Sequence, residues 1–261
     1  MLKDNLLLSL FPGIDLLGMG FEQAGFCVVR GPDLITGGDI REFHATKKAF
    51  SGVIGGPPCQ DFSLLNRNPG DYSQKMLDEY CRVVLEAEPD WFLFENVAQA
   101  PNFNIEGYTQ QRFALDLAWF SEFSRLRHFV FGSKNGTLLN PMIGNKSKVI
   151  GTAVTGSDSR SFRACCDIQG LPAEFDLPSF TLSGKKQAVA NGVPLQLGRY
   201  IAKLIAKTIY GDTAAPKVVT TITERRCNCG CGRVVVGRSQ YRAAACRKRA
   251  ERARKAQLLT T

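Results

Sequence analysis

The chain reads as an α/β protein, and two patterns in the sequence predict it. Short apolar runs at residues 6–11, 27–29, 53–54, 91–94 and 129–131 alternate with helical candidates at 18–24, 41–49 and 76–88. A glycine-rich turn follows the first run and opens the first of those helices. Alternation of this kind builds β-α units on a largely parallel sheet. No internal repeat is present.

The first run, Leu6-Leu7-Leu8-Ser9-Leu10-Phe11, is cut short by Pro12, Gly13 and Asp15, so it is a strand rather than the apolar core of a signal peptide. Gly13, Gly18 and Gly20 in the turn leave backbone N–H groups beside which a nucleotide-like cofactor can lie. A purely structural turn is the alternative reading. There is no Walker lysine and no strict GxGxxG, which counts against a phosphate-binding loop. Further on, Asp39 sits where a strand-end loop would offer a carboxylate to a cofactor hydroxyl or amino group.

The run at 53–54 leads into Gly55-Gly56-Pro57-Pro58-Cys59-Gln60. Two glycines allow close approach of a ligand or a second backbone, and two prolines fix their own φ and restrict the residue before each. Cys59 is therefore held in one place, either as a reactive thiol or as an inert turn cysteine. The run at 91–94, Trp-Phe-Leu-Phe, is a buried strand ending in Glu95 and Asn96. Open α/β sheets carry their sites at the carboxyl ends of strands, and a carboxyl buried there should hold its proton more tightly. A solvated strand-terminal glutamate is the alternative. In Arg125-Leu126-Arg127-His128 the alternation puts Arg125 and Arg127 on one face, to hold a phosphate or a base carbonyl, or to keep an edge strand soluble.

Residues 133–186 are rich in Gly, Ser, Asn and Pro without a sustained period, as in a long loop or a poorly regular subdomain. Periodicity returns at 195–207, an amphipathic helix that should fold back on the first half. The expected organisation is an α/β part at 1–132, the irregular region at 133–186, a returning helix at 187–212, a linker at 213–226 and a basic tail at 227–261.

Charge follows that division. Twelve of the 33 Lys/Arg but only two of the 24 Asp/Glu lie from Ala215 onward, so the tail carries the whole excess of +9. A polyanion-binding element is the functional reading and a solvated helix face the bland one. No stretch is long enough to cross a membrane, and a cytoplasmic, reducing setting is expected, in which nine cysteines are thiols, metal ligands or catalysts. Cys227, Cys229, Cys231 and Cys246 suit a structural zinc ion in a segment too short for much core of its own, with unpaired thiols in a disordered tail as the alternative. Residues 242–257 combine helix propensity with basic residues almost all round, which suits phosphate contact. Nothing in the sequence calls for an obligate protein partner.

Phe11-x-Gly13, Asp39, Pro57-Pro58-Cys59-Gln60, Glu95-Asn96-Val97, Arg125-x-Arg127 and Asn191-Gly192-Val193-Pro194, in this order, resemble the DNA (cytosine-5)-methyltransferase family, in a short form like those of phages and prophages. The resemblance covers about residues 6–210. It implies a Rossmann-like sheet of the S-adenosylmethionine-dependent methyltransferases, S-adenosylmethionine as cofactor, and double-stranded DNA as partner, with the target cytosine flipped out. By resemblance Cys59 is the nucleophile, Glu95 the acid at N3, and Arg127, with Arg125 beside it, contacts the cytosine O2 or supports Cys59. Asn96 would position the loop or Glu95. Phe11, Gly13, Asp15, Asp39, Pro57, Asn191 and Val193 would form the cofactor pocket.

The sequence departs from the family at three places. Asp15 stands where a second glycine is usual, and Phe123 where a glutamine usually precedes the arginines. After strand 2 the usual ribose-binding acid is displaced, leaving Asp33 as its candidate. By resemblance 1–132 is the catalytic and cofactor-binding part and 133–186 the target-recognition region, which is short here, so specificity rests on few residues or on the tail. RNA methylation by the same chemistry, as one branch of the family resembles, and a catalytically idle nucleic-acid-binding protein are the competing readings.

Overall fold

The computed structural model describes residues 5–63, 66–141, 145–152, 154–211, 225–227, 234–235, 245–248 and 250–251. The chain divides into two units, Met1–Pro216 and Lys217–Thr261.

In the first unit, β1 (Leu6–Leu10), α1 (Leu16–Gln23), β2 (Cys27–Arg30), β3 (Gly52–Gly55), α2 (Tyr72–Ala87) and β4 (Trp91–Asn96) follow the expected alternation. Then come β5 (Thr109–Asp116), β6 (Phe123–Ser124), β7 (Leu126–Ser133), β8 (Gly151–Thr152), α3 (Phe162–Ile168), α4 (Leu182–Asn191) and α5 (Leu195–Tyr210). The main sheet has the order β2-β1-β3-β4-β7-β5. Its first four strands are parallel, as the alternation predicts, whereas β7 runs antiparallel to both β4 and β5. Only a 3-10 turn, Leu117–Trp119, and β6 lie between β5 and β7, a connection short enough for an antiparallel return.

Period-two alternation splits the core over the two sheet faces. Leu7, Ile54, Trp91, Leu93, Phe129 and Phe131 pack with α1 and α5, while Leu8, Leu10, Val53, Phe92 and Phe94 pack with α2. Burial of each such side chain contributes about 1.5–3 kcal/mol. α5 does fold back on the first half: a Cβ on Gly20 of α1 would stand 2.6 Å from the carbonyl carbon of Gly198 in α5, so the two helices meet backbone to backbone. That contact bridges residues nearly the length of the unit apart and closes one face of the sheet.

Three sequence expectations change. The helix expected at 41–49 is only a 3-10 turn, Ile40–Glu42, after which Phe43 is extended. Arg82 donates to the carbonyl oxygens of Ile40 and Phe43 at 2.9 and 3.0 Å, and the Ile40 oxygen also accepts from Phe43 N at 3.1 Å, which closes the single turn. The arginine-bearing strand is not an edge. β7 lies between β4 and β5, and the edge is β5, whose polar Thr109-Gln110-Gln111-Arg112 start hides it from an apolar-run search. Finally, α4 begins at Leu182, inside the expected recognition region, with Thr181 as its cap: Thr181 Oγ1 accepts from Gly184 N at 3.2 Å.

In the second unit, Arg225–Arg226 pair antiparallel with Val234–Val235, residues 245–248 and 250–251 are helical, and Cys227 and Cys246 are buried. The expected zinc ligands Cys229 and Cys231, and most of the linker at 213–226, lie outside the described residues. Among the described residues no helix is long and apolar enough to cross a membrane.

Candidate active site

A cleft of about 330 Å³ opens over the carboxyl ends of β1, β3 and β4. Its walls include Phe11, Gly13, Asp15, Asp39, Pro57, Cys59, Glu95, Arg125, Arg127, Asn191 and Val193, which are all the catalytic and cofactor residues expected from the sequence.

The cysteine loop is fitted to β4. β3 and β4 run parallel with Gly55 beside Phe94, which brings the next residues, Gly56 and Glu95, side by side. A Cβ on Gly56 would lie 2.6 Å from Glu95 Oε2, and one on Gly55 would lie 2.7 Å from the Leu10 carbonyl oxygen. Glycine is needed at both because backbone and carboxylate approach so closely. Asn96 then ties the loop down, with Nδ2 donating to the Pro57 carbonyl at 3.1 Å and Oδ1 accepting from Val97 N at 2.9 Å. Cys59 follows at the start of a single 3-10 turn, Gln60–Phe62, and Asp61 anchors that turn to α2 by accepting from Ser73 N at 2.8 Å.

Glu95 is buried, 8% exposed, and Arg127 Nε lies 2.8 Å from its Oε1. Burial pushes the Glu95 carboxyl up from its ordinary value, against the pull of Arg127 and then Arg125. Burial also pushes the Cys59 thiol up, with the Glu95 charge adding to it and Arg127 and Arg125 opposing. A proton on Glu95 therefore removes one of the charges that disfavour a thiolate at Cys59.

Arg125 enters the same cleft but its guanidinium is turned to the backbone. Nη1 donates to the Val154 carbonyl at 2.9 Å and Nη2 to the Ala190 carbonyl. Burial, followed by repulsion from Arg127, lowers its pKa to about 9. Its own backbone N–H donates to Asp116 Oδ1 at 2.9 Å, which fixes where the strand begins.

On the glycine-rich side, Phe11, Gly13 and Asp15 all have left-handed backbone, with φ of 52°, 55° and 58°. Asp15 holds that conformation through its own buried carboxylate, which accepts from Ser9 Oγ at 2.8 Å and Gly18 N at 3.1 Å and lies 2.9 Å from Arg30 Nε. Burial pushes this carboxyl up, against Ser9 and Arg30. Sequence reasoning missed Ser9 and Arg30, and the pair explains how an aspartate replaces the usual glycine. Asp33 Oδ2 accepts from Gly13 N at 2.8 Å, so the displaced acid holds the loop from across the cleft. Asp39 receives Arg41 Nε on both oxygens at 3.0 Å, and that guanidinium holds its carboxyl down at about 2.

The far lip comes from late in the chain. Buried Gln169 donates to the carbonyls of Val189 at 2.6 Å and Gly192 at 3.1 Å, pinning the segment that carries Asn191 and Val193. Gln187 Nε2 donates to Asn191 Oδ1 at 2.7 Å. The site thus gathers a cysteine, a proton-holding carboxyl, a guanidinium and a Gly-rich loop with aspartates opposite it. Among the described residues no cluster of three or more His, Cys, Asp or Glu could hold a metal ion.

Comparison with known proteins agrees with this geometry. The family model for C-5 cytosine-specific DNA methylase matches residues 34–118. Type II methyltransferase M.HgiGI of Herpetosiphon aurantiacus is 32% identical over 114 residues, covering 36% of this chain and 90% of that sequence. The chain belongs to the C-5 cytosine-specific DNA methylase family. Another relative in that methylase family, M.XorII of Xanthomonas oryzae pv. oryzae, is 35% identical over 116 residues, 34% of this chain. The match spans only 27% of M.XorII. A DNA modification methyltransferase encoded within a prophage of E. coli has the same α/β methyltransferase fold, with a TM-score of 0.61 at 16% identity over 78% of this chain and 99% of that one.

Proposed function

We propose that this methylase-family protein transfers a methyl group to C5 of a cytosine flipped out of double-stranded DNA. The observation that carries the reading is the convergence, in one cleft, of Cys59, the buried Glu95–Arg127 pair and the Gly13 loop.

The residues fit S-adenosylmethionine. Gly13 has nothing nearer to its missing side chain than Ile35 Cδ1 at 3.9 Å, which leaves room for a ligand against the loop. Exposed Leu34 and Ile35 offer apolar surface for a purine, and the Asp33 and Asp39 carboxylates can accept from ribose hydroxyls or an amino group. Phe11, Asp15, Pro57, Asn191 and Val193 complete the lining. When bound, S-adenosylmethionine supplies an electrophilic methyl group.

C5 of cytosine is a weak nucleophile, and Cys59 overcomes this by adding to C6 as the thiolate, forming an S–C6 bond. Electron density moves through the ring toward N3, where Glu95 in its protonated form donates its proton. The C5=C6 bond is thereby converted into a nucleophilic enamine at C5. After methylation, loss of the C5 proton expels Cys59 as the thiolate, and return of the N3 proton to Glu95 restores the ring and the acid. Arg127 orients Glu95 and reaches the base O2, while Arg125 holds the strand and both lips in place. Flipping the base costs about a few kcal/mol, and contacts with the cleft and the DNA backbone must offset it. The division into a catalytic part at 1–132, recognition at 133–186 and a basic tail is part of this reading. So is a structural zinc ion on Cys227, Cys229, Cys231 and Cys246, supported by burial of the first and last of them; elemental analysis finding no zinc in purified protein disposes of that portion.

Incubation with tritiated S-adenosylmethionine and either duplex DNA or tRNA tests the activity. Transfer to duplex DNA that Cys59→Ser abolishes is expected. Transfer to tRNA alone moves the substrate to RNA, and transfer to neither leaves an idle binding protein.

A further inference from the structure

The helix behind the cysteine turn is capped from outside its own sequence. A helix leaves the N–H groups of its first turn without partners, and α2 starts from Asp71, a residue type that ordinarily satisfies them. Asp71 makes no such bond, and its carboxylate lies 2.8 Å from Lys75 Nζ instead. The cap is Asp61, in the turn that carries Cys59. Asp61 Oδ2 accepts from Ser73 N at 2.8 Å and Oδ1 from Gly70 N at 2.9 Å. Ser73, fully buried, answers with Oγ accepting from Asp61 N at 3.0 Å. This is the reciprocal pattern of a capping box, closed across a loop rather than within one helix. The two N–H groups, Ser73 first and then Gly70, hold the Asp61 carboxyl below its ordinary value, so at neutral pH it is ionised and accepts from both.

A cap placed there joins two parts that a local cap would leave separate. Asp61 is the middle residue of the turn Gln60–Phe62, which Phe62 N closes by donating to the Cys59 carbonyl at 3.1 Å. Before Cys59, Asn96 at the end of β4 holds the Pro57 carbonyl. After it, the Gln60 carbonyl accepts from Asn66 Nδ2 at 3.1 Å, but Asn66 belongs to the same loop. The Asp61–Ser73 clasp instead reaches α2, whose Met76, Leu77, Tyr80, Val83 and Val84 are packed in the core. Cys59 is thus clamped between two fixed elements, β4 on one side and α2 on the other. Bond formation between a thiolate and a ring carbon is sensitive to such placement, since a misplacement of about 1 Å costs about 10² in rate. Only a cap supplied by the cysteine turn passes the rigidity of the helix to the sulfur.

We propose that Asp61 is a positioning residue for Cys59: its carboxylate, clasped by Gly70 N and Ser73 N at the start of α2, holds the sulfur where it can add to C6. This rests on the methyltransferase reading above and names what keeps the nucleophile of that site in place.

The test uses the full chain. Asp61→Ala is expected to lower kcat on duplex DNA about 10²-fold with KM for S-adenosylmethionine unchanged. It should also raise the rate of Cys59 alkylation by iodoacetamide severalfold without moving its pH midpoint, because the charges acting on that thiol are those of Glu95, Arg127 and Arg125. Asp61→Asn, which still caps a helix, should recover most of the lost kcat. Lys75→Gly weakens the same helix by a comparable amount at an exposed position and should leave kcat at the wild-type level. A fall in Lys75→Gly as large as that in Asp61→Ala makes the effect one of helix stability and overturns the inference. So does an Asp61→Ala protein with unchanged kcat and alkylation rate. If Asp61→Ala does not fold, Ser73→Ala, which removes only the returning bond to Asp61 N, should move both quantities in the same directions, and unchanged values there overturn the inference. Absence of transfer to any duplex by the wild type overturns the activity alone, since alkylation still reports whether Asp61 holds Cys59.

Discussion

Arg127 Nε sits 2.8 Å from Glu95 Oε1, yet burial leaves that glutamate holding its proton more tightly than an ordinary carboxylate. A guanidinium at this distance favours the ionised form, and removal of water from around the carboxyl outweighs it. The pairing orients an acid without discharging it.

Activity should therefore follow a bell in pH, requiring Glu95 protonated and Cys59 ionised, with both groups raised from their ordinary values. Glu95→Gln should lower kcat by about 10²–10⁴ and remove the alkaline fall. Because the Glu95 charge pushes the Cys59 thiol up, the same variant should bring the midpoint of Cys59 alkylation by iodoacetamide to lower pH, followed by mass spectrometry of the Cys59 peptide. An unmoved or higher midpoint would show that the two groups do not interact.

Gly56→Ala should disable the site without unfolding the protein. The added methyl would lie 2.6 Å from Glu95 Oε2, so the carboxyl or the loop must shift by a large fraction of an ångström. Displacements of about 1 Å cost about 10² in rate. Tritium transfer should drop accordingly while the unfolding midpoint stays within a few degrees; unchanged transfer would mean the loop moves away from Glu95 before reaction.

At Asp15 the side chain caps α1 and steadies a left-handed backbone. Asp15→Ala should lose about 2–3 kcal/mol, about 1 from the cap and 1–2 from an alanine at positive φ. Asp15→Gly should lose less, since glycine carries no such strain. The Asp15 carboxyl is raised above its ordinary 3.8, so its protonated form is favoured in the fold. Relative to Asp15→Asn, the wild type should gain stability as pH falls through the raised value and cease gaining below about 3.8. Denaturant unfolding across that window measures the trend, and a wild type that loses ground instead would contradict it.

Arg125→Met should weaken cofactor binding as well as catalysis. It removes the bonds to Val154 and to Ala190, the residue before Asn191 on the cofactor lip. Isothermal titration with S-adenosylhomocysteine in the absence of DNA should show a loss of affinity, about tenfold for one charged hydrogen-bonded tether. Arg125→Lys should recover part of it. Full affinity in Arg125→Met would restrict Arg125 to the DNA side.

The site was more legible in the sequence than the sheet. Cys59, Glu95 and Gly13 announce themselves because close backbone approach demands Gly and Pro around the loop and a carboxyl at the end of an apolar strand. Strand direction left no such mark: β7 has the same apolar Phe129-Val130-Phe131 core whichever way it runs. β5 was hidden because an edge strand need bury only one end, and it keeps Leu115 inside while Thr109 and Arg112 face out. Arg30 could not be recognised from sequence, since its meaning lies in a partner, Asp15, on the neighbouring strand-end loop. The helical look of 41–49 failed because the chain turns extended at Phe43, whose carbonyl accepts from Arg82, a residue far along the chain.

The Arg125 guanidinium joins Val154 and Ala190, 29 and 65 residues farther along the chain. During synthesis every strand of the main sheet has been made once residue 133 has emerged, but this rivet has nothing to close on until residue 190 follows. A nascent or prematurely terminated chain therefore carries Cys59 and Glu95 without a finished cavity around them.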